Sequence, residues 1–238
     1  MKPYDVGILF VHGIQGSPKQ FRYLIEKVPP SVYVQSLTLP GHGATVKEFQ
    51  KSDRAQWLSA VRKACSEMSR QCEDIIFVGH SMGCLLGLQI EQETQTFSAM
   101  MLICCPFFLR PTSRYFCNSL MANRTKGKTD DPYVKAAWAA NGVTAKRGIA
   151  YLFCAHPYFE LLRLIRSIKK QGALQLPEKT VFCYSKRDEI VGEKNHRYAR
   201  ERLGATVEVF EQCGHNYFTD TAKVKINKIL MDMIKALS

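Results

Sequence analysis

Ser81 lies in Gly79-His80-Ser81-Met82-Gly83, directly after the apolar run Ile75-Ile76-Phe77-Val78 and directly before the helix-like stretch Cys84-Leu85-Leu86-Gly87-Leu88-Gln89-Ile90. A G-x-S-x-G pattern alone is weak. Set between a buried strand and a helix, it has the form of a nucleophile elbow. The sharp turn strains the serine backbone, and the two glycines remove side chains that would clash there. Such a turn lifts the hydroxyl clear of the sheet and aims the first helical N–H groups at a reacting carbonyl oxygen. The plainer reading is a glycine-rich helix start with an incidental serine; the strand before and the helix after weigh against it.

A serine hydroxyl is a poor nucleophile at neutral pH. It needs a general base, and the base needs a carboxylate to orient it. With an elbow the chain order is Ser, then Asp or Glu, then His, and the C-terminal third supplies both partners in that order. Thr180-Val181-Phe182-Cys183-Tyr184 reads as a buried strand, and Asp188 falls in its exit loop, at the edge where open α/β sheets place their chemistry. Its neighbour Glu189 is the alternative acid; Asp188 is preferred because a shorter side chain suits a fixed loop. A further strand, Thr206 to Phe210, runs into Glu211-Gln212-Cys213-Gly214-His215. His215 competes with His12, His42, His80, His156 and His196. Of these only His196 also follows Asp188, and it falls in a charged, helix-like segment (Glu193 to Arg202) that reads as a solvated face. His215 is therefore the expected base.

Charge developing on the substrate oxygen calls for two backbone donors. The N–H of Met82, just after the nucleophile, is one. The other is expected from the loop after an early strand, Val6 to Val11, which continues into His12-Gly13-Ile14-Gln15-Gly16-Ser17. Its glycines let backbone approach substrate, and the N–H of Ile14 is the second donor.

With these residues in place the chain resembles the α/β-hydrolase superfamily, in its carboxylesterase and monoacylglycerol-lipase-like branch. The resemblance rests on His12-Gly13, Leu39-Pro40-Gly41-His42-Gly43, Trp57 before the elbow strand, Gly79-His80-Ser81-Met82-Gly83, Asp188 with Val191, and Gly214-His215. It spans nearly the whole chain and is weakest between about Pro106 and Gly172. It implies cofactor-free hydrolysis of esters of modest acyl chains, monoglycerides or related thioesters, with the middle segment setting the substrate. Asn216 and Tyr217 stand in the histidine loop where small or aliphatic residues would also serve, and would narrow the pocket mouth. A thioesterase or amidase with the same triad is the nearest rival. A hydrolase-fold binding protein with little turnover is the second.

The positioning elements follow from the pattern. Strands near Val6–Val11, Val32–Leu37, Asp74–Val78, Ala99–Cys104, Val181–Tyr184 and Val207–Phe210 alternate with helical stretches near Pro18–Lys27, Asp53–Met68, Gly83–Glu93, Glu193–Leu203 and Thr219–Leu237. This is an α/β fold with a mostly parallel central sheet and helices on both faces. The 238 residues, 46% of them hydrophobic, suit one such domain: a core of residues 1–105 and 173–238 with a cap insertion at 106–172. The start leads straight into the first strand, leaving no room for a signal peptide, and no apolar run approaches a bilayer span. Nine cysteines, several on apolar strands or helices, read as buried thiols in a reducing cytoplasm. No histidine cluster or C-x-x-C pair has metal-site spacing, so no metal is expected.

Between Pro106 and Gly172 the alternation breaks. Ten aromatics fall there, and an insertion at this point would lie over Ser81 as a cap, its apolar surface excluding water and holding an acyl chain. The net charge of +12 is concentrated here, with twelve bases against three acids from Arg110 to Lys170. Over His156–Lys170, Leu161, Leu162, Ile165 and Ile168 share one helical face, with Arg163, Arg166 and Lys170 on another. Two readings stand: a lid helix with a solvated outer face, or a basic surface meeting anionic membrane or anionic substrate. No recognised nucleic-acid module is present, so nucleic acid is not expected as a partner.

Overall fold

The structure is a computed structural model that describes residues 2–143 and 154–238. Six strands form one parallel sheet: β1 (Tyr4–Val11), β2 (Tyr33–Leu37), β3 (Cys72–His80), β4 (Ala99–Ile103), β5 (Lys179–Ser185) and β6 (Thr206–Phe210), in the order β2-β1-β3-β4-β5-β6. The order reverses beside β1 and β3. That is the switch point at which such sheets open a crevice beyond their C-terminal ends.

Alternation along the strands sorts the core into two layers. On β1, Leu9 and Val11 face one side with Phe77 of β3 and Leu102 of β4, while Ile8 and Phe10 face the other with Ile76 and Val78. The first layer is closed by α3 (Arg54–Gln71), α4 (Met82–Thr94) and α7 (Ala155–Lys170). The second is closed by α1 (Arg22–Ile25), which follows a 3-10 turn at Pro18–Phe21, and by α9 (Asp220–Lys235). Two shorter helices lie on connections, α2 (Val46–Phe49) and α8 (Glu193–Arg197).

Local chemistry fixes where the long helices begin. The Asp53 side chain accepts the N–H of Gln56 at 2.8 Å while Gln56 Oε1 accepts the N–H of Asp53, a reciprocal cap worth about 1 kcal/mol. Trp57, one turn in, is fully buried and donates Nε1–H to Pro40 O at 3.1 Å. It thereby anchors the Leu39–Gly43 loop.

The segment after β4 divides. The helices α5 (Ser113–Thr125) and α6 (Pro132–Ala140) form the cover. α7 instead packs on α3 and α4, with Leu161, Leu164, Ile165 and Ile168 in the main core and Gln171 Nε2 donating to Gln89 Oε1 of α4 at 2.9 Å. Leu164, not Leu162, completes its buried face; Leu162 is exposed because the apolar stripe turns with the 3.6-residue period. Lys146 and Arg147, counted above in the basic segment, lie outside the described residues. No helix among the described residues is long and apolar enough to cross a membrane.

Candidate active site

β3 ends at His80 and α4 begins at Met82, so Ser81 alone makes the turn. Its backbone sits at φ 52° and ψ −120°, a left-handed conformation that side-chain-bearing residues avoid. The strain is held by the Ser81 N–H, which donates to Ile103 O at 2.8 Å, and by close packing of the new helix on β1. A Cβ on Gly83 would lie 2.0 Å from Val11 O, so only glycine lets α4 approach the end of the strand.

Asp188 and His215 come together across the loops after β5 and β6. His215 Nδ1 lies 2.8 Å from Asp188 Oδ2 and 3.1 Å from Oδ1, and both side chains are buried. Asp188 is fixed in turn by the N–H groups of Ile190 and Val191, at 2.8 and 2.7 Å on Oδ1. Burial alone would raise the carboxyl pKa, but the His215 imidazole and these donors outweigh it and hold Asp188 below its ordinary value. Burial likewise pushes His215 down, while the charge and hydrogen bond of Asp188, joined by the charge of Glu189, carry it above the ordinary imidazole value. The two shifts agree: the pair is poised to stabilise an imidazolium.

Ser81 and His215 open onto one cavity of about 660 Å³. The cap contributes Tyr115, Phe116 and Leu120 to its wall, and α7 contributes Leu161. Ile14 also lines it, from the loop after β1. Met82 sends its side chain into the core and stands first in α4, where backbone N–H groups lack intrahelical partners. Asn216 and Tyr217 line the same cavity. Tyr217 packs on Tyr133 of α6 with ring centroids 4.7 Å apart, and Tyr133 Oη donates to Gln212 O at 3.1 Å, so the histidine loop supports the cap.

Three side chains do more than their spacing announced. His12, fully buried, accepts the Leu39 N–H on Nε2 at 3.1 Å and donates Nδ1–H to Gly13 O at 2.8 Å, bracing the loop after β1. Burial, reinforced by His42, drives its pKa down to about 3, so it serves as a neutral strut. Gln20 joins that loop to the histidine loop: Oε1 accepts Gly13 N–H at 3.4 Å, and Nε2 donates to Asn216 Oδ1 at 3.1 Å. His80 donates Nε2–H to His215 O at 2.8 Å; burial, then the nearby His215 charge, lowers its pKa to about 3. A histidine beside the elbow serine was the only sequence signal for this last contact. His196 is not on a solvated face: it is buried and stacks on Tyr184 with centroids 4.5 Å apart. The side chain of Asn195 beside it bonds both backbone polar groups of Phe108, which draws α8 inward.

Ligand atoms of His80, Cys104 and His215 lie within 4.8 Å of one another, the one such buried triplet found among the described residues. Its chemistry suits hydrogen bonding better than metal binding. His80 Nε2 is held by the His215 carbonyl and His215 Nδ1 by Asp188, and burial, with the Asp188 charge, pushes the Cys104 thiol well above its ordinary value, away from the thiolate that a metal needs.

Comparison with known proteins agrees with this architecture. A thermostable monoacylglycerol lipase of Bacillus sp. (strain H-257) is 31% identical over 88 residues, a stretch that covers 37% of this chain and 35% of that lipase's length. Among solved structures, one reported for the metagenome-derived lipolytic enzymes LipS and LipT aligns with a TM-score of 0.72 at 17% identity, covering 98% of this chain and 95% of that one. The monoacylglycerol lipase of Paleococcus ferrophilus aligns at 0.69 with 14% identity, covering 99% and 97%. At such identities these two likenesses speak for the fold alone. The profile of the alpha/beta hydrolase family matches residues 8–226, nearly the full chain, and the chain belongs to that family.

Proposed function

We propose that the chain is a serine hydrolase that cleaves carboxylic esters, of short or medium acyl chains or monoacylglycerols, through an acyl-enzyme. The observation that carries this is the strained Ser81 facing the same cavity as a His215 whose Nδ1 is bound 2.8 Å from buried Asp188. Ser81 Oγ attacks the ester carbonyl as His215 takes its proton. The N–H groups of Ile14 and Met82 stabilise the oxyanion, and the imidazolium then protonates the leaving alkoxide. Water, deprotonated by the same imidazole, attacks the acyl-enzyme and frees the acid and Ser81. The proton taken from Ser81 leaves with the alcohol and is replaced by one from water, so the enzyme is restored and the cycle calls for no cofactor or metal. The apolar cap residues around the cavity favour an acyl chain over a charged substrate. The buried thiols suit a reducing compartment, which is the ground for proposing the cytoplasm.

Hydrolysis of p-nitrophenyl esters from acetate to palmitate, with wild type beside Ser81→Ala, tests the reading. Serine-dependent turnover with a chain-length optimum is the expected result. Turnover that survives Ser81→Ala overturns the nucleophile. Silence on every oxygen ester, with a serine-directed fluorophosphonate still bound covalently, moves the reading to a thioester or amide; silence towards both favours a binding protein.

The exposed apolar side chains of the cap support a partner. On α5, Phe116, Leu120 and Met121 are 60%, 69% and 41% exposed, although Phe116 and Leu120 also line the cavity. Exposed Arg110 precedes that helix, and Arg124 and Lys126 end it. Apolar side chains bounded by cations match an anionic bilayer surface. Co-sedimentation with phosphatidylglycerol vesicles, weak with phosphatidylcholine and lost in Phe116→Ser/Leu120→Ser, is expected. Equal binding to both lipids, or a dimer that buries this face, refutes it.

A further inference from the structure

Three different side chains hold His215, each at a different polar group. Asp188 takes Nδ1, His80 donates to the carbonyl, and Glu189 Oε2 accepts the backbone N–H at 2.8 Å. The loop itself is a short turn, closed by Gly214 N–H on Tyr217 O and tied to the acid loop by Arg187 N–H on Cys213 O. The placement of the base is thus set from outside its own segment.

Glu189 has the widest reach of the three. Its other oxygen, Oε1, accepts Asn118 Nδ2 of α5 at 3.1 Å, and its backbone carbonyl accepts both the N–H (2.9 Å) and the hydroxyl (3.2 Å) of Thr112, just before α5. The carboxylate is buried, borders the substrate cavity, and takes its hydrogen bonds from an amide and a backbone N–H. Burying a charge on neutral donors is expensive, and such a site persists where the charge or the geometry has a use. A Cβ on Gly214 would fall 2.8 Å from the Tyr133 ring and 2.9 Å from Glu189 Oε2, so glycine there leaves room for both. Adjacent residues therefore divide one task, Asp188 holding the ring of His215 and Glu189 its backbone.

We propose that Glu189 is a positioning residue, which keeps His215 in line with Asp188 and ties the base to the cap helix α5 through Asn118. The proposal rests on the reading of Ser81 and His215 given above. The charged and titratable groups around the imidazole are Asp188, Glu189, His80 and Cys104. Glu189 is the carboxylate whose charge can be removed with both of its side-chain partners still met. Gln at 189 offers its amide oxygen to the His215 N–H, and Asn118 can turn its own oxygen toward the new amide N–H.

The test uses fluorophosphonate labelling of Ser81 and hydrolysis of a short soluble ester, both against pH, for wild type, Ser81→Ala, Glu189→Ala, Glu189→Gln and Asn118→Ala. Glu189→Ala is expected to slow labelling and kcat about 100-fold with KM little changed, the cost of an ångström-scale misplacement of the base. Glu189→Gln should stay within about tenfold of wild type while its acid limb moves to lower pH, because a neutral side chain no longer favours the imidazolium. Asn118→Ala should lose rate with an unmoved limb. A Glu189→Ala protein that folds and labels like wild type overturns the proposal. So does a Glu189→Gln protein as impaired as Glu189→Ala. If Glu189→Ala does not fold, Glu189→Gln decides: retained rate with a shifted limb supports the proposal, and an unshifted limb overturns it. A wild type that labels no better than Ser81→Ala removes the underlying reading, and this inference with it.

Discussion

Gly83→Ala tests whether the elbow depends on helix α4 lying against β1. The added Cβ would stand 2.0 Å from Val11 O and 2.8 Å from His12 O, both backbone atoms. Carbon and oxygen settle near ~3.3 Å even in close contacts, so the helix must retreat by about 1 Å or more. No side chain can swing aside to absorb it. Retreat carries Ser81 and the Met82 N–H away from His215 and the Ile14 loop, and an error of that size at a reacting centre costs about 100-fold in rate. Overpacking itself should cost about 1–3 kcal/mol of stability. Gly87→Ala is the matched control. It lies one turn along the same helix, and its Cβ would meet the Phe77 ring at 2.1 Å, a comparable overlap against a side chain rather than the strand. Urea denaturation and kcat on one soluble ester, measured on both variants, separate the two effects. Similar losses of stability with a selective rate loss in Gly83→Ala are expected. Equal rate losses in the two would refute the claim that this contact sets the nucleophile.

Asp188→Asn should lower kcat/KM by roughly four orders of magnitude while Ser81 stays in place, since the imidazole loses its orienting charge; stopped-flow turnover checks it. Because Asp188 raises His215 despite burial, and a general base at His215 would accept a proton only when neutral, the acid limb of kcat/KM in wild type should fall at a pH above the ordinary imidazole value. A limb below that value contradicts the pairing. His12→Ala leaves the Leu39 N–H without its side-chain acceptor and Gly13 O without its side-chain donor, and should cost about 2–4 kcal/mol in denaturant unfolding. Cys117 is the exposed cysteine, so native protein should titrate close to one thiol with a disulfide reagent and nine once unfolded.

What the sequence carried, and what it could not, follows from the range of the forces involved. Strand alternation and the G-x-S-x-G turn are local, set by side-chain period and backbone sterics, so the sheet and Ser81 were legible from Ile75 to Ile90 alone. Asp188 and His215 were legible because chain order and strand ends constrain them; their 2.8 Å contact is what those constraints lead to. His196 failed because charge along a helix says which residues can face water, not whether a neighbouring aromatic ring, here Tyr184, offers a better surface. α7 misled for a related reason. Leu162 and Leu164 differ only in which side of the apolar stripe they fall, and the partner helices α3 and α4 decide that. Glu189 was weighed only as a substitute acid, because two adjacent carboxylates look redundant until the loops they face are known. Their fixed separation along one turn lets one reach the ring of His215 and the other its backbone. Nothing in spacing encodes that division: it arises when β5 and β6 bring two loops together beneath the cap. A double-mutant cycle between Glu189 and Asn118 would measure it as a coupling energy, and independent, additive effects of the two changes would mean that cap and base are held separately.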